Sequence, residues 1–198
     1  MSNNQKIFFT SDTHFFHERI IVYSKRPWNT VEQMNEGIIK NWNNVIGKND
    51  TVYHLGDVAM GGAKRASELA SILNRLNGNI RLISGNHDDY VLKSPCVERF
   101  EWVKDYHEVK YTSPSHGKRK FVLMHYPLLT WNSSGRKTKG GKAYSVQLHG
   151  HCHGNVDMIN QGTTRKDVGV DSNGYAPVWI ENIVELMNYR TYDAVDHH

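Results

Sequence analysis

A chain of 198 residues with formal charge +4 and a pI near 9.0 fits one domain, able to bury about 70% of its unfolded surface. With 38% hydrophobic residues, 16 glycines, 5 prolines and two cysteines (Cys96, Cys152), it is not collagen-like, disordered or a disulfide scaffold. No apolar run reaches membrane-spanning length and "MSNNQKIFF" lacks a signal-peptide core, so one soluble, cytoplasmic domain over residues 1–198 is expected.

In chain order, "KIFF" opens as a short buried strand. Val31, Met34, Ile38, Ile39, Trp42, Val45 and Ile46 then repeat on one helical face, with Thr30 and Gln33 as a capping box and Gly47 as the stop. "TVYHL" is a second strand. A second helix carries Leu69, Ile72, Leu73 and Leu76 and ends at Gly78. "IRLIS" follows as a strand. "WVKDYHEVKY" and "KRKFVLMHY" read as consecutive strands with no room for a helix between them. "VQL", a strand in "KDVGV" and a terminal helix over Glu181 to Tyr189 complete the chain. Strands alternating with helices, then strands in succession, predict an α/β domain with a mixed sheet.

The polar clusters follow the strands. Asp12-Thr13-His14 comes after "KIFFT", Gly56-Asp57 after "TVYHL", and Gly85-Asn86-His87-Asp88 after "IRLIS". His125 follows "KFVLM", and His151 and His153 follow "VQLHG". Any one of these reads as a turn. Jointly they put carboxylates, imidazoles and an amide at the carboxyl ends of strands, where α/β sheets bind ligands. Such mixed oxygen and nitrogen donors suit divalent Mn, Fe, Zn or Ni.

The order D-x-H, G-D, G-N-H-D, H, G-H-x-H resembles the calcineurin-like metallophosphoesterases over roughly residues 6 to 154. "FTSDTHFFHERII" and "RPW" are similar to their compact phage and bacterial members. The resemblance implies a four-layer α/β/β/α sandwich with mixed central sheets and two divalent ions, Mn favoured over Fe, Ni or Zn. It implies that Asp12, His14, Asp57 and His153 hold the first ion. Asp57 bridges to the second, completed by Asn86, His125 and His151. His149 matches no ligand position. The expected reaction is hydrolysis of a phosphate ester by a metal-bridging hydroxide. His87 is the expected proton donor, and Asp88 an orienting or turn-capping carboxylate.

"GDVAMGG" (Gly56 to Gly62) replaces the "GDxxDRG" of related protein phosphatases, which argues against a phosphoprotein substrate. Large appended regions like those of DNA-repair nucleases are not expected in a domain of this length. A phosphodiesterase on nucleotides or small esters is therefore expected, the alternatives being a phosphomonoesterase or a non-catalytic metal-binding scaffold. A basic rim would also admit short nucleic acid, and the Tyr and Trp content is compatible with a dimer. His17 and Arg26 are candidate substrate contacts, with Trp28 a candidate base-stacking ring; a helix start and Pro-turn is the plainer reading. Residues 132–142, "NSSGRKTKGGK", read either as a lid or as a solvated loop. The terminal His197 and His198 are left out of the chemistry.

Overall fold

The computed structural model describes residues 5–193, so His197 and His198 lie outside the described residues. Four parallel strands, β1 (Ile7–Thr10), β2 (Thr51–His54), β3 (Asn79–Ile83) and β4 (Phe100–Lys104), form a first sheet. The two-residue β9 (Val178–Trp179) joins it antiparallel beside β1, giving the order β4-β3-β2-β1-β9. A second sheet has the order β5 (His107–Ser113), β6 (Gly117–Leu123), β7 (Ser145–His149), β8 (Arg165–Asp167), with only β5 and β6 antiparallel.

The alternation of side chains across the first sheet buries both its faces. Phe8, Val52, Ile80 and Leu82 pack under the helices, in a cluster that includes Met34, Ile38, Ile39 and Trp42 of α2 (Val31–Val45). Leu69, Ile72 and Leu73 of α3 (Ala66–Arg75) complete that cluster, and the six-residue α1 (Glu18–Tyr23) adds Ile20. Phe9, Tyr53 and Ile83 face the other way. There they meet Val109, Phe121, Leu123, Val146 and Leu148 of the second sheet and the Ile183/Val184/Met187 face of α6 (Ile180–Tyr189). The capping box at α2 holds: Thr30 Oγ1 accepts from Gln33 N at 3.2 Å, and Gln33 reaches back to Asn29 N.

The molecule is thus an α/β domain of two mixed sheets flanked by helices, as expected, but the outer layers are unequal. Over the second sheet the cover is mostly coil, residues 124–144. Trp131 Nε1 donates to Ser145 Oγ, and Gln147 bonds Tyr126 O and Leu128 N. Two four-residue helices, α4 (Asp89–Leu92) and α5 (Asp157–Asn160), fill the remaining corners. One expectation needs refining. "WVKDYHEVKY" breaks at Asp105–Tyr106, so β4 ends one sheet and β5 begins the other. Among the described residues, no helix is long and apolar enough to cross a membrane.

Candidate metal centre

The carboxyl ends of β1, β2, β3, β6 and β7 share one rim, and the polar clusters follow them directly. Backbone bonds stitch the loops together: Asp12 N to Gly56 O, His14 N to Asp57 O, Gly150 N to His125 O. A bridge between Ser11 and Gly169 joins the two sheets at the same rim. Close approach depends on glycine. At Gly56, with φ 94°, a Cβ would lie 2.5 Å from Gly85 N and 2.8 Å from His125 Nδ1.

Two groups of three donors result, Asp12 with His14 and His153, and Asp57 with His125 and His151; within each, the donor atoms lie within 4.8 Å of one another. Asp57 Oδ2 stands between the groups, 3.6 Å from His14 Nε2 and 3.5 Å from His125 Nε2. Its other oxygen accepts the His87 N–H at 2.9 Å. Asn86 Oδ1 lies 3.0 Å from both His125 Nε2 and His151 Nδ1. Asp12, His14, Asp57, His151 and His153 all have φ between 48° and 67°, a sparsely populated left-handed region for non-glycine residues that concentrates at functional sites.

Hydrogen bonding tests whether a cation fits. His125 Nδ1 lies 2.7 Å from the Leu55 carbonyl, which only accepts, so Nδ1 carries the proton. In the neutral ring, Nε2 is then a lone pair facing two further acceptors, Asn86 Oδ1 and Asp57 Oδ2. His153 Nδ1 is likewise tied to Asp171 Oδ2 at 2.7 Å, which leaves Nε2 for the first group. His14 is buried, and neither of its ring nitrogens has a hydrogen-bond partner. Converging lone pairs and an orphaned buried imidazole fit a divalent ion in each group.

Burial and the neighbouring charges pull these groups in opposite directions. Burial opposes the charging of His125, but its bond to Asp57 and the charges of Asp12 and Asp57 outweigh this and raise its pKa. Burial lifts the Asp12 carboxyl to about 7, against the pull of His125 and His153. Burial also works to raise Asp57, yet its bond to His125 and the surrounding imidazoles hold it well below the usual carboxylate range.

The structure brings together all seven expected ligands. His17 and His87 flank His14, with ring centroids 5.4 and 5.7 Å from it. His149 is a buried strand-end residue bonded to Gly150 O and Asn160. The remaining candidates take other positions. Arg26 grips no substrate: it is buried, with a bidentate pair to Asp171 (2.8 and 2.9 Å) and bonds to the carbonyls of Asp12 and Thr13. Trp28 packs edge-on against Tyr175, in keeping with the plainer reading of this segment. Asp88 binds backbone. It is buried beneath the centre and accepts from the N–H groups of Asp57, Val58 and Gly85 at 2.8–2.9 Å, fixing two ligand loops. Residues 132–142 form no lid: Arg136 to Lys142 sit beside Gly117–Arg119, at the start of β6, whereas His125 follows its end.

Two contributors escaped the sequence reading. Asp171 orients His153 while neutralising Arg26. His54, buried under the rim, accepts from Gly56 N at Nδ1, and its Nε2 lies 3.0 Å from Thr13 Oγ1. Asp171 lies four residues beyond β8, whose own residues are Arg165, Lys166 and Asp167, so no apolar run before it gave the signal that marks Asp12 after β1.

Comparison with known proteins adds independent findings. The family model described as calcineurin-like phosphoesterase superfamily domain matches residues 6–170. An uncharacterized protein of Methanocaldococcus jannaschii is 37% identical over 187 residues, 92% of each chain. The Gene 66 protein of Mycobacterium phage L5 is 29% identical, covering 96% of each. The crystal structure of a protein of unknown function from Aquifex aeolicus superposes with a TM-score of 0.67 at 25% identity, covering 92% of this chain and 100% of that one.

Proposed function

As the chain belongs to the calcineurin-like phosphoesterase superfamily, we propose that it is a metal-dependent phosphodiesterase acting on nucleotides or similar small esters. The observation that carries this reading is the pair of donor groups sharing the Asp57 carboxylate. Asp12, His14, Asp57 and His153 would hold one divalent ion, Mn favoured, and Asp57, Asn86, His125 and His151 a second. When bound, two such ions supply Lewis acidity, lowering the pKa of a water and offsetting charge on the phosphoryl oxygens.

The chain's own groups do the rest. Asp57 is oriented by the His87 N–H on one oxygen, which leaves the other facing both donor groups. Asp171 and Leu55 O hold the protons of His153 and His125 on the far ring nitrogens, so the inward ones stay available as ligands. The exposed His87 imidazole, next to His14, would give a proton to the leaving oxygen. The half-buried His17, also next to His14, would contact a phosphoryl oxygen.

The charges around this centre favour a diester over a terminal phosphate. A monoester dianion calls for an additional cation, and neither Arg26, engaged by Asp171, nor the basic 132–142 segment serves it. Hydrolysis of a chromogenic bis-ester and of the matching monoester, with added Mn²⁺, tests the reading. The diester is expected to turn over faster, with a loss of about 10²–10⁴-fold in His87→Ala and no activity in Asp57→Asn. Faster monoester turnover would reverse the preference. Folded protein inactive with every divalent metal would instead indicate a binding scaffold.

A further inference from the structure

The basic segment absent from the metal centre builds a cavity elsewhere. Lys137 and Ala143 form an antiparallel bridge, Thr138 N donates to Lys142 O at 2.7 Å, and Tyr144 N donates to Arg136 O at 3.0 Å. This hairpin faces the first residues of β6 across a cavity of about 610 Å³, lined by Lys118, Arg119, Arg136, Lys137, Lys139 and Lys142. Among the described residues lining it there is no aspartate or glutamate; Glu185, close by, is engaged by His116 at 2.7 Å.

Arg119 makes this more than a basic patch. It is 3% exposed, yet among the described residues no carboxylate pairs with it. Nη1 donates to the carbonyls of His116 and Lys118, and Nε is buried with no hydrogen-bond partner. A buried cation without a counter-charge is costly, and an anion in the cavity would offset that cost. Six cations in a concave space favour a ligand with several linked negative groups, and the guanidinium fork matches phosphate. The aromatic ring in the lining, Tyr144, already has Arg136 over its face at 4.3 Å, which favours phosphates over bases as the recognised element.

We propose that this cavity is a second anion site, which binds a ligand with two or more linked phosphates and is separate from the metal centre. Arg119 and His125 are six residues apart along an extended strand, roughly 20 Å at ~3.3 Å per residue. The site does not depend on the phosphodiesterase reading. The shared chemistry has two sources, a free oligophosphate or consecutive phosphates of a nucleic acid strand.

Calorimetric titration with inorganic triphosphate and with an eight-residue oligothymidylate, both in chelator to silence the metal centre, tests it. The wild type is expected to bind at least one of them saturably, at one site. The exposed triple variant Lys137→Glu/Lys139→Glu/Lys142→Glu should lose at least tenfold in affinity, and Arg119→Met likewise. Asp57→Asn should bind as the wild type does. Bis-ester turnover in the triple variant should match the wild type, which separates failure here from failure of the catalytic reading. Tighter binding of triphosphate points to a free oligophosphate and tighter binding of the oligonucleotide to a strand; either upholds the site. No saturable binding, or undiminished binding by the triple variant, overturns it.

Discussion

Asp171 illustrates how one carboxylate can serve a centre it does not enter. One oxygen pairs with Arg26 Nε; the other accepts from Arg26 Nη2 and His153 Nδ1. Burial works to raise its pKa, but the bonds to His153 and Arg26 prevail and keep it ionised. Removing such an outer partner typically costs about 10–100-fold in metal affinity. Asp171→Ala is therefore expected to weaken Mn²⁺ binding by about that factor in a titration of metal-free protein. It should also destabilise the fold by about 3–5 kcal/mol, because Arg26 is left buried and unpaired. Unchanged affinity in folded protein would show that the His153 ring needs no external orientation. Neither role was legible in the sequence, since the pair spans 145 residues and Arg26 looks like a loop arginine next to a motif.

The strand ends were legible. A β-branched or aromatic run that stops at a polar cluster marks a buried strand entering a loop, and β1, β2, β3, β6 and β7 all lie where that pattern puts them. What the pattern omits is how closely the loops approach. Gly56 lets its turn lie against the Gly85 backbone and the His125 ring. Gly56→Ala puts a Cβ into both contacts at a positive φ, and is expected to cost more than about 1 kcal/mol and to displace Asp57. Denaturant unfolding would measure the first and metal stoichiometry the second; a variant as stable and as metal-competent as wild type would contradict the close approach. Helices followed the same logic, α2 and α6 falling within a residue or so of their apolar spacing. The break at Asp105–Tyr106 was hidden because an alternating strand pattern continues through it.

Across the whole molecule, stability and site share a foundation. His54 is buried below the rim, and burial lowers its pKa from 6.5 to about 3, against the pull of Asp57. Between those values the unfolded chain takes up a proton that the folded one refuses. This contribution is complete above pH 6.5 and declines as pH falls toward 3. Denaturant titrations in chelator should show a shallower acid-side loss for His54→Gln than for wild type, starting from a lower stability at pH 7; parallel profiles would sink this account. The basic 132–142 segment shows the limit of reading along a chain. Its position between His125 and His151 suggests a lid, but two parallel strands require a crossover that returns to the strand starts. Each donor group also draws on both sheets: Asp12 and His14 come from the first and His153 from the second, just as Asp57 is matched by His125 and His151. An ion in either group would act as a clasp across the sandwich. Its grip on the folded form would grow by about 1.4 kcal/mol for each tenfold rise in free metal above the dissociation constant, so metal scarcity would loosen the scaffold as well as silence it.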